Sequence, residues 1–178
     1  MTGPESTGKT ALTLHLARRF VLPYAMEYAR LYLEQHGPDY DYDLLQEMSR
    51  GHQAYQRECV LPDALVGLFD TDLTNYRIWS QEVFGRCSDA LIEAEEQEVN
   101  HCYLLCLHDL PWETDPLRVD KDRRDYLYQL HVKEIERLHR PYCVVEGVGP
   151  VRERCAEEAI RKLVPTLPLV SSDDSPET

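Results

Sequence analysis

An α/β layer fold with a parallel sheet is predicted by three observations. Amphipathic segments of helical period recur along the whole chain; short runs that are apolar at every position lie between them; and the two kinds alternate. Runs without polar alternation are what strands covered on both faces require, and helices packed on both sides of a parallel sheet provide that cover. Strands separated by helices imply βαβ units.

In chain order, the first helix is expected at 9–20, where Leu12, Leu16, Ala17 and Phe20 fall on one face. A short strand follows near 24–27 (YAME), and then a helix at 27–36. A longer helix is expected at 43–59, with Asp43 as its cap and Gln46 as the reciprocal partner. LVGLFD at 65–70 reads as a buried strand, followed by helices at 73–84 and 87–98. CYLLCLH at 102–108 is the next buried strand, and a charged helix covers 122–139. Pro141 closes that helix and opens the last strand, YCVVE at 142–146, before a final helix at 150–163.

The 178 residues suit one domain, taken as 1–170, and 43% apolar content suffices for one core. The polar, acidic stretch from Ser171 to Thr178 is expected to be a disordered tail. No internal repeat is visible. No run of about 18 apolar residues is present, which excludes a membrane-spanning helix, and no basic-then-apolar leader opens the sequence. A net charge of −13 argues against a nucleic-acid surface, which needs clustered cations. The six cysteines, at 59, 87, 102, 106, 143 and 155, include no C-x-x-C pair. Free thiols and a cytoplasmic setting are therefore expected, not a disulfide framework or a zinc site.

Residues 3–10 read GPESTGKT and satisfy G-x-x-x-x-G-K-[ST]. This P-loop, formed by Gly3, Pro4, Glu5, Ser6, Thr7, Gly8, Lys9 and Thr10, is expected to hold a nucleoside triphosphate, taken as ATP with Mg²⁺. Gly3 and Gly8 permit backbone conformations that a Cβ obstructs, so that successive N–H groups face the phosphates. The following helix adds its positive end. Lys9 supplies a point charge to the β- and γ-phosphates, and the Thr10 hydroxyl is a ligand for the metal.

FDTD ends the second strand with Asp70 and Asp72. A carboxylate at the carboxyl end of a parallel strand faces the ligand crevice. Either residue suits the metal, with Asp70 the preferred partner, or acceptance of a hydroxyl proton; the bland alternative is a cap for the helix LTNYRIW. Arg118, Arg123 and Arg124 follow the turn DLPWETDPLR and have the character of an arginine lid over developing phosphoryl charge, or else of a solvated helix start. Trp112, in that turn, offers a stacking face or a packing group. Glu27 and Arg30 stand at a strand-to-helix junction, where Glu27 suits sugar hydroxyls and Arg30 a phosphate; an ordinary surface pair is the rival. Gly147 and Gly149 in EGVGPVRER allow the backbone close to an adenine, or simply a turn. The seven histidines show no metal-ligand spacing and read as surface or core residues.

TGPESTGKT, EYAR, YDYDLLQEMSRGHQ, FDTDLTNY, LPWETDPLR and DRRDYLYQLH occur in an order that resembles the NadR-type P-loop family, NadR-like AAA ATP-binding domains that include the ribosylnicotinamide kinase domain of NadR. The resemblance spans residues 2 to 163. It implies a nucleoside-kinase-like P-loop NTPase fold with a five-stranded parallel sheet between helical layers. It also implies phosphorylation of a ribonucleoside such as nicotinamide riboside by ATP. Lys9, Asp70, Asp72, Arg118, Arg123 and Arg124 would be catalytic; Glu27, Arg30, Asp72 and Trp112 would bind the acceptor; Thr10 and Asp70 would hold Mg²⁺. The adenylyltransferase and repressor domains of NadR have no counterpart in this sequence.

A P-loop follows a central strand, yet only Met1 and Thr2 precede Gly3. The first strand is thus expected to be missing and the true start to lie upstream. A chain beginning at Met1 is expected to be only poorly soluble, because buried unpaired backbone groups cost about 1–3 kcal/mol each. Two functional readings compete with the kinase. One is a nucleotide-binding regulatory module without an acceptor; the other, weaker, is a RecA-type domain, suggested by GPESTGKTALTL alone.

Overall fold

The computed structural model describes residues 1–167; the expected tail at 171–178 lies outside them. The helices are α1 (Lys9–Phe20), α2 (Tyr28–His36), α3 (Tyr42–Cys59), α4 (Leu73–Phe84), α5 (Asp89–Gln97), α6 (Arg124–Arg137) and α7 (Pro150–Leu163). The strands are β1 (Tyr24–Ala25), β2 (Leu68–Phe69), β3 (Tyr103–Cys106) and β4 (Tyr142–Val145), and a 3-10 turn (Lys121–Arg123) leads into α6. No helix among the described residues is long and apolar enough to cross a membrane.

The strands pair in parallel as β1–β2 and β3–β4, two pairs where a five-stranded sheet was expected. Met1 and Thr2 lie between the pairs. The Met1 amino group donates to the Phe69 carbonyl at 2.6 Å, and Thr71 N–H donates to the Met1 carbonyl at 3.0 Å. Thr2 N–H donates to Leu104 O at 3.0 Å and Cys106 N–H to Thr2 O at 2.9 Å, forming a parallel bridge to β3. These two residues stand at the centre of the layer. Their few ladder bonds are too short a run to count as a strand.

β3 explains why its sequence shows no polar alternation. Successive side chains point to opposite faces, and both faces are covered. Leu104 and Cys106 join Leu12, Leu16, Phe20, Ala156 and Ile160 under α1 and α7. Tyr103 and Leu105 pack on Ile135 of α6. A third cluster, of Ala29, Leu33, Leu45, Met48, Leu73, Tyr76 and Leu91, joins α2, α3, α4 and α5 beside the sheet. Three layers result, with the carboxyl ends of the strands opening toward the P-loop.

One capping expectation is corrected. The N-cap of α3 is Asp41, whose Oδ1 accepts from Leu44 N–H at 2.9 Å, and Asp43 sits in the first turn. Gln46 has no part in the cap. It is buried and accepts from the Ser88 hydroxyl at 2.5 Å, because its helix face turns toward α4 and α5. The six cysteines are all free.

Candidate functional site: a P-loop with two diverging carboxylates

Residues 3–8 form an irregular loop between the central residues and α1. Gly3 has φ 128°, and a Cβ there would stand 2.7 Å from the Cys106 carbonyl oxygen. Any side chain at that position would push the loop off β3. Gly8, with φ 73°, caps α1 in the left-handed region that glycine adopts without steric cost. Lys9 folds back on the loop and donates to the carbonyls of Gly3 at 2.9 Å and Pro4 at 2.8 Å. Thr7 closes the turn through its hydroxyl to Pro4 O at 2.8 Å.

Asp70 and Asp72 leave one strand end in different directions. Thr71 between them has φ 70°, a left-handed conformation that is unfavourable for a β-branched residue and is held here by Met1 and by Gln56, whose amide donates to Thr71 O at 3.4 Å. Asp70 turns to the P-loop, where its Oδ2 accepts from the Thr10 hydroxyl at 2.6 Å. Asp72 occupies the N-cap position of α4 but makes no cap bond. Its Oδ2 accepts from the Tyr103 hydroxyl at 2.5 Å. Both carboxylates are buried, and Oδ1 of each has no hydrogen-bond partner among the described residues.

The arginines separate into two groups. Arg118 reaches the Ser6 hydroxyl at 3.1 Å, and Arg124 reaches the Ser6 carbonyl at 3.5 Å and Leu110 O at 2.8 Å. Arg123 points away, paired with Glu82 of α4 and with Asp120 at 3.0 Å. The guanidinium of Arg124 also lies 5.9 Å from the centre of the Trp112 ring. Glu5 fastens the same segment by accepting from Val119 N–H at 3.0 Å and Asp120 N–H at 3.1 Å. Arg30 engages Asp115 at 3.0 Å and Glu34 at 3.2 Å, so it braces the loop of Trp112.

A family model described as AAA domain matches residues 1–154. The chain belongs to the AAA domain family. Two solved structures agree on the fold. One, of NadR protein in complex with NR, is 21% identical with a TM-score of 0.75 over 91% of this chain and 49% of that one. The other, of NadR protein in complex with NAD and AMP-PNP, is 20% identical with a TM-score of 0.75 over 96% of this chain and 50% of that one. The chain thus spans about half the length of these structures. No curated protein matches it.

Within this AAA domain, burial sets the electrostatics around the carboxylates. Burial raises Glu27, although Lys9 nearby opposes it. Burial alone would raise Asp72 too, but His101 and the Tyr103 hydroxyl outweigh it and hold the carboxyl well below its usual range. Burial would lower His101; Asp72 and Glu98 overcome that and lift it to about 9. His101 lies 3.9 Å from Asp72 and 3.3 Å from Glu98. Asp72, Glu98 and His101 place ligand-type atoms within 4.8 Å of one another, and an imidazolium shared between two carboxylates accounts for the cluster.

Several residues of the AAA domain's site carried no signal in the sequence. Arg152 is buried and donates to Thr7 O at 2.8 Å, Leu107 O at 2.9 Å and Asp109 at 2.6 Å, tying the P-loop to the ends of β3 and α7. Asp109 also accepts from Gly147 N–H at 2.6 Å, in the turn considered for adenine. Arg140 donates to the Tyr103 hydroxyl at 2.6 Å. None of these lies in a motif, and long-range contact alone brings them together. The clefts of about 290 and 330 Å³ are lined by α5, α6 and the α6–β4 turn, or by α4, α5 and α6, and include no P-loop residue.

Proposed function

We propose that this chain binds MgATP and transfers its γ-phosphate to a hydroxyl of a ribonucleoside, nicotinamide riboside being the first to test. The observation that carries this reading is the divergence of Asp70 and Asp72. One carboxylate meets the P-loop threonine at 2.6 Å, and the other keeps a free buried oxygen beside it in sequence. A module that only binds nucleotide needs the first and has no use for the second.

Thr10 and Asp70 fit a divalent cation. Their contact and the unpartnered Asp70 Oδ1 make an oxygen set of the kind Mg²⁺ takes, and bound there it would neutralise charge on the phosphates. The loop N–H groups and Lys9 take the triphosphate, Lys9 exchanging its carbonyl partners for phosphate oxygens. Asp72 Oδ1 accepts the acceptor's hydroxyl proton as the oxygen bonds to Pγ. The bond from Pγ to the β–γ bridging oxygen breaks, ADP leaves, and the proton passes from Asp72 to solvent. A carboxyl held ionised orients the hydroxyl before the proton moves, which suits a loose transition state that asks little of a base. Arg118 and Arg124, both in contact with Ser6 of the loop, would stabilise the charge that develops on the equatorial oxygens. Trp112, edged by Arg124, would close over the acceptor ring. The free cysteines suit a cytoplasmic setting.

The test is ADP release from MgATP with and without nicotinamide riboside and a panel of other ribonucleosides. Stimulation by one of them establishes a kinase and its substrate class. The bonds that join the loop to the 118–124 segment, from Val119 and Asp120 to Glu5 and from Arg118 and Arg124 to Ser6, favour the regulatory alternative, since nucleotide occupancy would rearrange them. Tight ATP binding with no stimulation by any nucleoside would select that alternative.

A further inference from the structure

α3 and α4 bring three polar side chains together at the back of the site. His52 is fully buried, Tyr76 is 2% exposed and Asp72 is 4% exposed. Both ring nitrogens of His52, the Tyr76 hydroxyl and Asp72 Oδ1 have no hydrogen-bond partner among the described residues. The His52 and Tyr76 rings are 5.1 Å apart between centres, inclined at 60°. Gln56, one turn after His52 on the same face, bonds the Thr71 carbonyl, so this face of α3 is laid against the turn that carries Asp70 and Asp72. The Asp72 charge acts on His52, and the Glu27 charge acts on Tyr76.

Native proteins leave few buried polar groups unpaired, and such groups gather where a ligand supplies the partner. The chemistry of this set selects the ligand. Burial lowers His52 to about 4, so its ring is neutral at physiological pH and offers one donor and one acceptor. A tyrosine hydroxyl offers the same two capacities. Sugar hydroxyls, each a donor and an acceptor, match both. A phosphate or carboxylate only accepts, and it would meet the negative charges of Asp70, Asp72 and Glu27.

We propose that His52 and Tyr76 form the hydroxyl-recognising wall of the acceptor pocket and take two hydroxyls of a ribose whose reacting hydroxyl lies at Asp72. This deepens the kinase reading and rests on it. The ribose, not the base, is then the selected part of the acceptor, and an acceptor lacking a sugar is rejected.

The test compares the wild-type protein with Tyr76→Phe, which removes one oxygen and keeps the ring. Acceptor KM is measured for nicotinamide riboside and for its 2′- and 3′-deoxy analogues, beside the KM for ATP. Tyr76→Phe is expected to raise the riboside KM about tenfold, leave the ATP KM unchanged and not lower Tm, because the lost hydroxyl had no partner to lose. The deoxy analogue that lacks the recognised hydroxyl should be weaker on the wild type and lose nothing further on the variant. Ring ¹⁵N shifts of His52, followed on adding riboside without nucleotide, report binding independently of turnover and of the variant's folding. A His52 shift without turnover leaves the wall standing and overturns the kinase. Turnover with an unmoved KM and an unmoved His52 overturns the wall and leaves the kinase, the buried atoms then being served by resident water. Ribosides that neither bind nor react overturn the wall, while turnover of another acceptor in the panel would still support a kinase.

Discussion

Tyr103 holds Asp72 from behind, its hydroxyl 2.5 Å from Oδ2, and is itself held by Arg140 at 2.6 Å. This buried chain fixes the carboxylate through Oδ2 and leaves Oδ1 without a partner among the described residues. Tyr103→Phe should lower kcat about tenfold with ATP affinity unchanged, since a hydrogen bond to a charged group is worth roughly 1.5–3 kcal/mol. Because Tyr103 helps to hold the Asp72 pKa down, the acid limb of the pH–rate profile should move to higher pH. A profile that keeps its shape would remove Tyr103 from the site.

Lys9→Ala should abolish detectable nucleotide binding, measured by fluorescent ATP titration. Thr10→Ala and Asp70→Asn should behave differently. They break the 2.6 Å contact that marks the cation position. The Mg²⁺ concentration for half-maximal turnover should rise about tenfold, with metal-free nucleotide binding within about twofold.

Of the three lid arginines, Arg123 is committed to Glu82 and Asp120. Arg123→Ala should change kcat by no more than about threefold. Arg118→Ala and Arg124→Ala remove groups that contact Ser6, and each should cost about 10²-fold or more in kcat, of the order seen when a preorganised donor is lost. Equal losses at all three positions would mean that the segment rearranges when substrate binds.

Three histidines should make stability depend on pH on both sides of 6.5. His52 and His131 are buried, and desolvation lowers them to about 4 and about 3. The unfolded chain takes up their protons first, so each costs up to about 1.4 kcal/mol per pH unit as pH falls from 6.5. His101 is raised to about 9, so its contribution is complete below 6.5 and is lost as pH rises through 9. Thermal melts of His131→Asn should show a flatter acid limb, with the Asn amide N–H donating to the Thr2 hydroxyl oxygen, which Nδ1 now meets at 3.1 Å while that hydroxyl donates to Asn75. His101→Asn should flatten the alkaline limb.

Val21 ends α1 with φ 53° and is 85% exposed. A β-branched residue is strained there and buries nothing in exchange. Val21→Asn should stabilise by about 1 kcal/mol, raising Tm by roughly 2–4 °C for a domain of this size. An unchanged melt would mean that the turn relaxes freely in the parent.

Local chemistry made much of this molecule legible. Gly3, Gly8, Lys9 and Thr10 stand within one short loop, and the spacing itself carries their phosphate chemistry. Leu12, Leu16, Ala17 and Phe20 mark a helix face by period alone, and all four are buried. The helix bounds of α1, α4 and α7 coincide with those expected from periodicity. Asp41 and Asp43 both fit the composition of a helix start, and only the bond to Leu44 marks Asp41 as the cap.

The α/β class is legible from segments alternating along the chain, and the P-loop and the two carboxylates at a strand end are each written within a few consecutive residues whose spacing carries the physics. Tertiary structure alone decided which aspartate meets Thr10, because the left-handed Thr71 between them is invisible in FDTD. It also decided that Arg123 turns to α4 while its neighbours turn to Ser6, that Arg152 bonds the P-loop at Thr7, and that Tyr103 and Arg140 line up behind Asp72. Their roles come from contacts between residues distant in sequence, and a buried polar group declares itself only when the chain has closed around it.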